Sequence, residues 1–383
     1  MLRDALGRIY LHRDPIWLMP TGAVVTWADK DMQIKQHEAM LYAQAGEKNV
    51  KCNLCARGCT ISEDKVGFCR VRKNVGGKLY ALNYAKAIAA NPDPIEKKPL
   101  YHFLPRSTTY SVATIGCNLA CSYCQNWSIS QEREIVGTTL PPERVVQEAL
   151  ANGCAAISYT YTEPTIFFEY AYDTARLAHK EGLFNTFVTN GYLSPEAIMT
   201  IAPYLNAATV DFKGGGDPTF YRNYCSVPDV KPIFDALREF KQQKIHVEIT
   251  NLVIPKIGDS LERIKDFSVW IHDNLGADVP VHFIRFHPDF DLLDLPATPT
   301  KTLEQAREIA LKEGLNYVYV GNVPGHAGEN TYCSNCHELL IERFGFQITR
   351  WNLTPENACP RCGYKAAIIG RREIGGGWYS TII

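Results

Sequence analysis

The central part of the chain alternates short apolar, β-branched runs with segments of helical periodicity. The apolar runs predict seven strands, over residues 110–114, 155–161, 184–189, 207–211, 244–253, 281–286 and 317–320. Between them, apolar residues return to one helical face, as over 141–152 and 165–180. Regular alternation of strand and helix favours a parallel sheet. Six or seven such units predict an α/β fold, either an incomplete (β/α) barrel or a doubly wound sheet.

Residues of unusual chemistry follow the predicted strands. They are Cys117, Cys121 and Cys124 after the first strand, Glu163 after the second, Asn190 after the third, Asp211 and Lys213 around the end of the fourth, and His287 after the sixth. Barrel enzymes build their sites from the loops at the carboxyl ends of the strands. This arrangement therefore favours the barrel.

The loop after the first predicted strand has the cysteine spacing C-x3-C-x2-C, formed by Cys117, Cys121 and Cys124. Three thiolates are one short of closed ligation of a 4Fe–4S cube. One iron is then left open for a substrate or cofactor, as in a catalytic rather than a structural metal site. A run of three cysteines is also compatible with half of a zinc site, so the surrounding sequence has to decide.

Eight further cysteines form two groups of four. Two CxxC pairs, separated by 22 residues, predict a C-terminal zinc ribbon; they are Cys333, Cys336, Cys359 and Cys362. The other group fits a zinc knuckle, which we favour, and also fits a second iron–sulfur cluster that relays electrons; it comprises Cys52, Cys55, Cys59 and Cys69. Two cysteines stand alone: Cys154 is expected to be an inert core thiol, and Cys225 to lie near the barrel mouth.

Composition narrows the class of protein. Lys and Arg total 40 against 41 Asp and Glu, which gives no support for binding to nucleic acid or to a membrane surface. No apolar run approaches the length of a membrane span, and residues 1–8 lack a secretory hydrophobic region. Thirteen cysteines in an apparently unexported chain argue for metal ligation rather than disulfides. We expect a cytoplasmic protein.

Together these motifs resemble the radical S-adenosylmethionine (SAM) superfamily, and within it the radical SAM enzymes of the AmmeMemoRadiSam system, relatives of the pyruvate formate-lyase activating enzymes. The resemblance runs from about Cys52 to Cys362 and leaves residues 1 to about 40 outside. Besides the closing zinc ribbon, it rests on the segments 52–59, 93–103, 117–127, 159–164, 284–288 and 317–322.

The resemblance implies a partial (β/α)6 TIM-type barrel, one 4Fe–4S cluster on the three-cysteine loop, and bound SAM. It also implies SAM contacts by six residues: Tyr123 near the adenine, Glu163 at the amino group, Lys213 at the carboxylate, and Asn190, Asp211 and His287 around them. A carboxylate facing an ammonium is sound charge-assisted chemistry. Tyr161 and Thr162 stand where the superfamily has glycines before this glutamate.

The function that follows is an oxidoreductase-like radical enzyme. Its reduced cluster cleaves SAM to a 5′-deoxyadenosyl radical, which abstracts hydrogen from a protein or peptide, with an electron donor such as flavodoxin or ferredoxin. The alternatives are radical modification of a small molecule and a non-catalytic, zinc-stabilised scaffold. The expected domains are an N-terminal region with a four-cysteine metal site at 1–104, the barrel at 105–325 and the zinc ribbon at 326–383.

Overall fold

The structure, a computed structural model, describes residues 37–370 in full. Outside that range it describes four two-residue strands, namely Leu2–Arg3, Ile9–Tyr10, Arg371–Arg372 and Trp378–Tyr379. The chain divides into two units, Met1–Lys35 and Gln36–Ile383; in the first, the two short strands pair antiparallel. Apart from Leu2–Arg3, the segment 1–8 examined for a secretory region lies outside the described residues.

The second unit is built on one eight-stranded sheet whose strands follow each other in chain order. Its strands are β1 (Ala89–Pro94), β2 (Thr108–Ala113), β3 (Ala156–Tyr159), β4 (Phe184–Thr189), β5 (Ala207–Lys213), β6 (His246–Val253), β7 (Val281–Arg285) and β8 (Val318–Gly321). Strands β2 to β8 pair in parallel. The predicted parallel sheet and all seven predicted strands are confirmed.

Strand β1 is the element that the sequence pattern missed. It pairs antiparallel with β2 at the edge of the sheet and contains Pro92 and Pro94. Proline cannot donate a ladder hydrogen bond and is tolerated mainly in edge strands. A segment with two prolines therefore does not read as a strand, although the edge position accommodates both.

Helices follow the strands and cover the sheet. They are α1 (Trp127–Ser130), α2 (Pro142–Ala151), α3 (Phe168–Lys180), α4 (Pro195–Ile201), α5 (Pro218–Cys225), α6 (Lys231–Gln242), α7 (Leu261–Leu275) and α8 (Thr300–Lys312). Every residue of β3 is buried, as expected of a parallel strand covered on both faces. The helix predicted over 165–180 begins with a separate 3-10 turn, Pro164–Phe167. None of the described helices has the length and apolar character needed to cross a membrane.

Small sheets flank the main one. Before it lie the short strands His37–Glu38, Tyr42–Gln44, Val50–Cys52, Thr60–Ile61, Arg72–Val75, Lys78–Ala81 and Lys86–Ala87, the last pairing with Thr138–Thr139. After it come Thr331–Tyr332, Leu339–Phe344 and Gln347–Trp351, which pack on their own hydrophobic cluster. Besides Pro164–Phe167, the described residues form three further 3-10 turns: Ile95–Lys97, Gly214–Gly216 and Ala327–Glu329.

The C-terminal region contacts the main sheet where strand β6 begins. Arg343 donates a hydrogen bond to the Tyr101 carbonyl oxygen at 3.1 Å, and a ring nitrogen of His102 lies 2.8 Å from the Ala367 carbonyl oxygen. The backbone amides of Tyr101 and His102 donate in turn to the Glu248 carboxylate, near the start of β6. This region therefore supports the sheet at the end opposite the carboxyl ends of the parallel strands.

Candidate active site

A cavity of about 320 Å³ opens at the carboxyl ends of the parallel strands, a size suited to a small ligand. Its walls include every residue that the sequence assigned to the cluster or to SAM. These nine residues are Cys117, Cys121, Tyr123, Cys124, Glu163, Asn190, Asp211, Lys213 and His287. Positions up to 170 residues apart in the chain thus meet at one place, because consecutive parallel strands end at the same edge of the sheet.

The three-cysteine loop follows β2 and is held from two sides. Gly116, which precedes it, has φ of +95°, and a Cβ there would lie 3.0 Å from the Cys69 carbonyl oxygen and 2.9 Å from Val71. Only glycine fits this conformation at this distance. On the other side, the amides of Ala120 and Ser122 donate to carbonyl oxygens at the end of α5. Backbone contacts therefore position the loop independently of the cysteine sulfurs.

The sulfurs of the loop have their own polar contacts. The Cys117 sulfur accepts from the Leu119 amide at 3.4 Å, and the Cys124 sulfur lies 3.3 Å from the Ser130 hydroxyl. Burial raises the pKa of the Cys117 thiol well above its usual range, and a bound metal would deprotonate it. None of the three is in a disulfide. The donor set fits a cluster held by three thiolates, and hydrogen bonds to its sulfurs would tune its potential.

Glu163 is a buried carboxylate that has no basic partner within residues 37–370. It precedes the 3-10 turn Pro164–Phe167, and it accepts hydrogen bonds from the Thr165 amide, the Thr189 hydroxyl and the Asn190 amide, at 3.0, 2.7 and 2.8 Å. Burial raises its pKa, and these hydrogen bonds oppose that rise. Within residues 37–370, no basic side chain forms an ion pair with it. An ionised Glu163 therefore lacks a compensating cation among the described residues.

Lys213 supplies a buried positive charge on the same cavity. Its Nζ atom donates to the Asp211 carboxylate at 2.9 Å and to the Asp211 carbonyl oxygen at 2.6 Å. Burial is the largest single influence and would lower the pKa of Lys213, but the charge of Asp211, together with those of Tyr221, Cys121 and Cys225, raises it overall. The hydroxyl of Thr250 donates to the other carboxylate oxygen of Asp211. Since an ammonium has three donors, one N–H of Lys213 remains for a ligand.

Asn190, Tyr123 and His287 complete the predicted set. The Asn190 side chain donates to the Asn118 side chain at 2.7 Å and lies 3.8 Å from the Cys117 sulfur, so it joins the loop to β4. Tyr123 is buried, with its hydroxyl 3.0 Å from the Cys225 sulfur. His287 is exposed at the rim. The expectation that Cys225 lies near this end of the fold is confirmed, and Cys154 lies in the core as expected.

One wall of the cavity was not anticipated. Lys97 and Lys98 line it, and each donates to the Asp93 carboxylate at 2.8 Å, while Tyr161 donates to the same carboxylate. Burial lowers the pKa of Lys98 to about 8. Tyr161 has φ of +64°, which is costly for a residue with a Cβ. Two features of the sequence could have indicated this wall of the cavity: the pair of lysines in the segment 93–103, and a tyrosine at a position where the resemblance expects glycine.

The C-terminal cysteines form a compact four-sulfur group. The Cys333 and Cys362 sulfurs are 3.6 Å apart, as are those of Cys336 and Cys359, and all four lie within 4.8 Å of one another. A tetrahedral site with metal–sulfur bonds of about 2.3 Å needs edges of about 3.8 Å. The predicted four-cysteine group is confirmed, and its geometry fits a single metal ion.

The chain is similar in sequence to a protein family and to two known proteins. The family model of the Radical SAM superfamily matches residues 111–268, which include the loop, Glu163, Asn190, Asp211 and Lys213. An uncharacterized protein of Methanocaldococcus jannaschii is 44% identical over 335 residues, covering 87% of this chain and 99% of its own length. A second uncharacterized protein of that organism is 23% identical over 291 residues, covering 71% and 78%.

Solved structures also show similarity. A radical SAM methyltransferase from Sphaerobacter thermophilus has a TM-score of 0.47 at 16% identity, covering 59% of this chain and 71% of its own. A domain of pyruvate-formate lyase-activating enzyme from Bacteroides vulgatus has a TM-score of 0.39 at 15% identity, covering 44% and 99%.

Proposed function

Because the chain belongs to the radical SAM superfamily, we propose that its cavity holds a 4Fe–4S cluster on Cys117, Cys121 and Cys124 together with SAM. The observation that carries this proposal is the meeting, in one cavity, of three cysteine sulfurs with Glu163, a buried carboxylate that forms no ion pair with the described residues. An amino acid group with a free amine would supply the missing cation. When bound, the reduced cluster supplies the electron that cleaves SAM to a 5′-deoxyadenosyl radical.

The residues of the chain bind and orient SAM in this proposal. Glu163 accepts from the SAM ammonium, and the free N–H of Lys213 donates to the SAM carboxylate. Both contacts are charge-assisted and form inside a largely buried cavity, where such hydrogen bonds are strong. Asn190 keeps Glu163 and the Cys117 sulfur at a fixed separation, since it contacts both. Asp211 holds Lys213, while Tyr123 and His287 border the nucleoside.

We also propose that the sheet curves into a partial (β/α)6 barrel. The ends of β4, β5, β6 and β7 and residues following β2, β3 and β8 all line the same cavity. An eight-stranded flat sheet would spread these ends over some 30 Å at a strand spacing of about 4.8 Å. A curved sheet brings them together.

The direct test of the proposed function is anaerobic reconstitution with iron and sulfide, followed by reduction and incubation with SAM. We expect 5′-deoxyadenosine to accumulate in the presence of reduced protein only. A chain that incorporates iron and sulfide at the loop but forms no 5′-deoxyadenosine under reduction would contradict the proposal.

We propose a protein or peptide as the substrate of the radical. Apolar side chains are exposed beside the three-cysteine loop: Trp127 is 45% exposed and stacks on Phe290 at 5.2 Å, and Leu293 is 65% exposed. The segment that carries Phe290 follows His287 at the cavity rim. Such side chains suit contact with an apolar segment of a polypeptide. An electron donor such as flavodoxin or ferredoxin would reduce the cluster.

Deuterium transfer separates this substrate class from a small molecule. Fully deuterated cell protein, freed of metabolites by gel filtration, is expected to transfer deuterium into 5′-deoxyadenosine, measured by mass spectrometry. Transfer from the deuterated metabolite fraction alone would contradict a polypeptide substrate and favour radical modification of a small molecule.

We propose a division of the chain into residues 1–104, 105–325 and 326–383. In the last of these, the C-terminal region, we propose that the four cysteines bind a structural zinc ion. We expect Cys333→Ala to remove about one zinc per chain and to make this region sensitive to protease, because bound zinc contributes about 10 kcal/mol or more to small zinc domains. Metal analysis and limited proteolysis measure both. The control Ser334→Ala keeps all four sulfurs and should retain zinc. A Cys333→Ala chain that keeps its zinc and loses iron would show that the sites are assigned wrongly.

A further inference from the structure

A second group of four cysteines adjoins the three-cysteine loop. Cys52, Cys55, Cys59 and Cys69 line one small cavity, together with Arg57, Arg72 and Asn118. Asn118 is the residue that follows Cys117. Both cavities are therefore lined by residues of the same loop.

The spacing of these sulfurs differs from that of the C-terminal group. Among residues 37–370, the C-terminal group alone brings three or more such ligand atoms within 4.8 Å of one another. Cysteines 52–69 do not close up in this way, and neither do Cys117, Cys121 and Cys124. A single zinc ion needs sulfurs about 3.8 Å apart, whereas an iron–sulfur cluster distributes its cysteines over several irons and holds them further apart.

Arg72 gives independent evidence for a ligand in this cavity. Its side chain is 2% exposed and lines the cavity. Its terminal nitrogens bond to Glu169 at 2.6 and 3.1 Å and to the Met40 carbonyl oxygen at 2.9 Å. Its Nε–H has no partner among the described residues. A buried N–H without a partner is costly, and the sulfide or thiolate sulfurs of a cluster would accept its hydrogen bond.

We infer that Cys52, Cys55, Cys59 and Cys69 hold a second iron–sulfur cluster rather than zinc, and that it passes electrons to the cluster on the loop. The sequence alone favoured zinc here. The inference rests on the proposed function only for the direction of electron flow; the occupant of the site stands apart from it.

The backbone segments that carry the two sites pack closely together. The Cys69 carbonyl oxygen packs so close to Gly116, which precedes Cys117, that a Cβ added there would lie only 3.0 Å from it. Arg57 donates to the Asn118 carbonyl oxygen and, at 2.7 Å, to the Ser226 carbonyl oxygen. In each transfer, the second cluster is oxidised by one electron and the loop cluster is reduced by one. A one-electron donor protein of the flavodoxin or ferredoxin class then reduces the second cluster again.

Metal and sulfide analysis tests the occupant. The Cys117/Cys121/Cys124→Ala triple variant, reconstituted anaerobically, is expected to retain iron and acid-labile sulfide, with about one zinc per chain. Adding Cys55→Ser and Cys59→Ser should remove that iron and sulfide and leave the zinc. Two zinc ions per chain, or no sulfide in the triple variant, would overturn the inference. If the variants do not fold, zinc in the wild-type chain decides: one ion supports a second cluster and two contradict it.

The relay is tested by comparing two reductants on the Cys55→Ser variant. Relative to the wild-type chain, 5′-deoxyadenosine formation should fall at least about 10-fold with reduced flavodoxin and change less than about 3-fold with dithionite, which reaches the loop cluster directly. Equal losses with both reductants, or none, would overturn the relay. A wild-type chain that carries the second cluster but does not cleave SAM would instead contradict the proposed function.

Discussion

Replacing Cys117, Cys121 or Cys124 singly with alanine is expected to abolish SAM cleavage, with a loss on the order of 1,000-fold or more in 5′-deoxyadenosine formation. Each variant leaves two thiolates for a cluster that already has one open iron, so its ligation fails. The loop itself should remain folded, because the amides of Ala120 and Ser122 hold it to α5 whatever the side chains are. Anaerobic product analysis by mass spectrometry measures the loss.

The matched control for these variants is Cys154→Ala. Cys154 is a buried free thiol in the core, outside the cavity lining. Its replacement should cost about 1 kcal/mol of stability and leave SAM cleavage near the wild-type level. If a loop variant retained cleavage comparable to this control, the loop would not hold the catalytic cluster.

Replacing Glu163 with glutamine should weaken SAM binding by about 10- to 150-fold, since a hydrogen bond to a charged group contributes about 1.5–3 kcal/mol. The change removes the buried negative charge that lacks a basic partner in the described part of the chain. It also turns an amide N–H towards the Thr165, Thr189 and Asn190 donors, so some loss of thermal stability is expected. Equilibrium dialysis with the reconstituted protein measures the dissociation constant.

Two comparisons separate binding from folding in this variant. Glu143 is exposed in the first turn of α2. The control variant Glu143→Gln should therefore leave SAM affinity unchanged. The iron content of Glu163→Gln should equal that of the wild-type chain, since the carboxylate is not a cluster ligand. Unchanged SAM affinity in folded, iron-loaded Glu163→Gln protein would remove Glu163 from the binding site.

The sequence pattern predicts the sheet well because its strands are buried on both faces. A run such as that of β3, with every position buried, is apolar enough to be recognised without its neighbours. The nine predicted site residues share one edge for a related reason: once strands are placed in parallel, their carboxyl ends lie at the same edge of the sheet, and the proposed curvature of the sheet brings them to one cavity. The spacing of Cys117, Cys121 and Cys124 indicates an iron–sulfur site, and the order of the parallel strands puts that loop at the same edge as the other site residues.

What the pattern missed depends on contacts between distant segments. Lys98 reaches the cavity because β1 pairs at the sheet edge and brings Asp93 beside Tyr161, 68 residues later in the chain. The contact of Tyr123 with Cys225 spans 102 residues. Neither contact can be predicted from the local pattern of apolar and polar residues. The distances between sulfur atoms also depend on the folded structure. For Cys52, Cys55, Cys59 and Cys69, the spacing along the chain was therefore compatible both with zinc and with an iron–sulfur cluster.

The central claim is that the iron left open by the three-cysteine loop binds SAM. Electron paramagnetic resonance of the reduced, reconstituted chain, with SAM isotopically labelled in its amino and carboxylate groups, tests it most directly. The experiment uses a variant in which serine replaces Cys52, Cys55, Cys59 and Cys69, so that only the loop cluster contributes to the spectrum. We expect hyperfine coupling between the cluster and the labelled atoms. A cluster spectrum that stays unchanged when labelled SAM is added would contradict it.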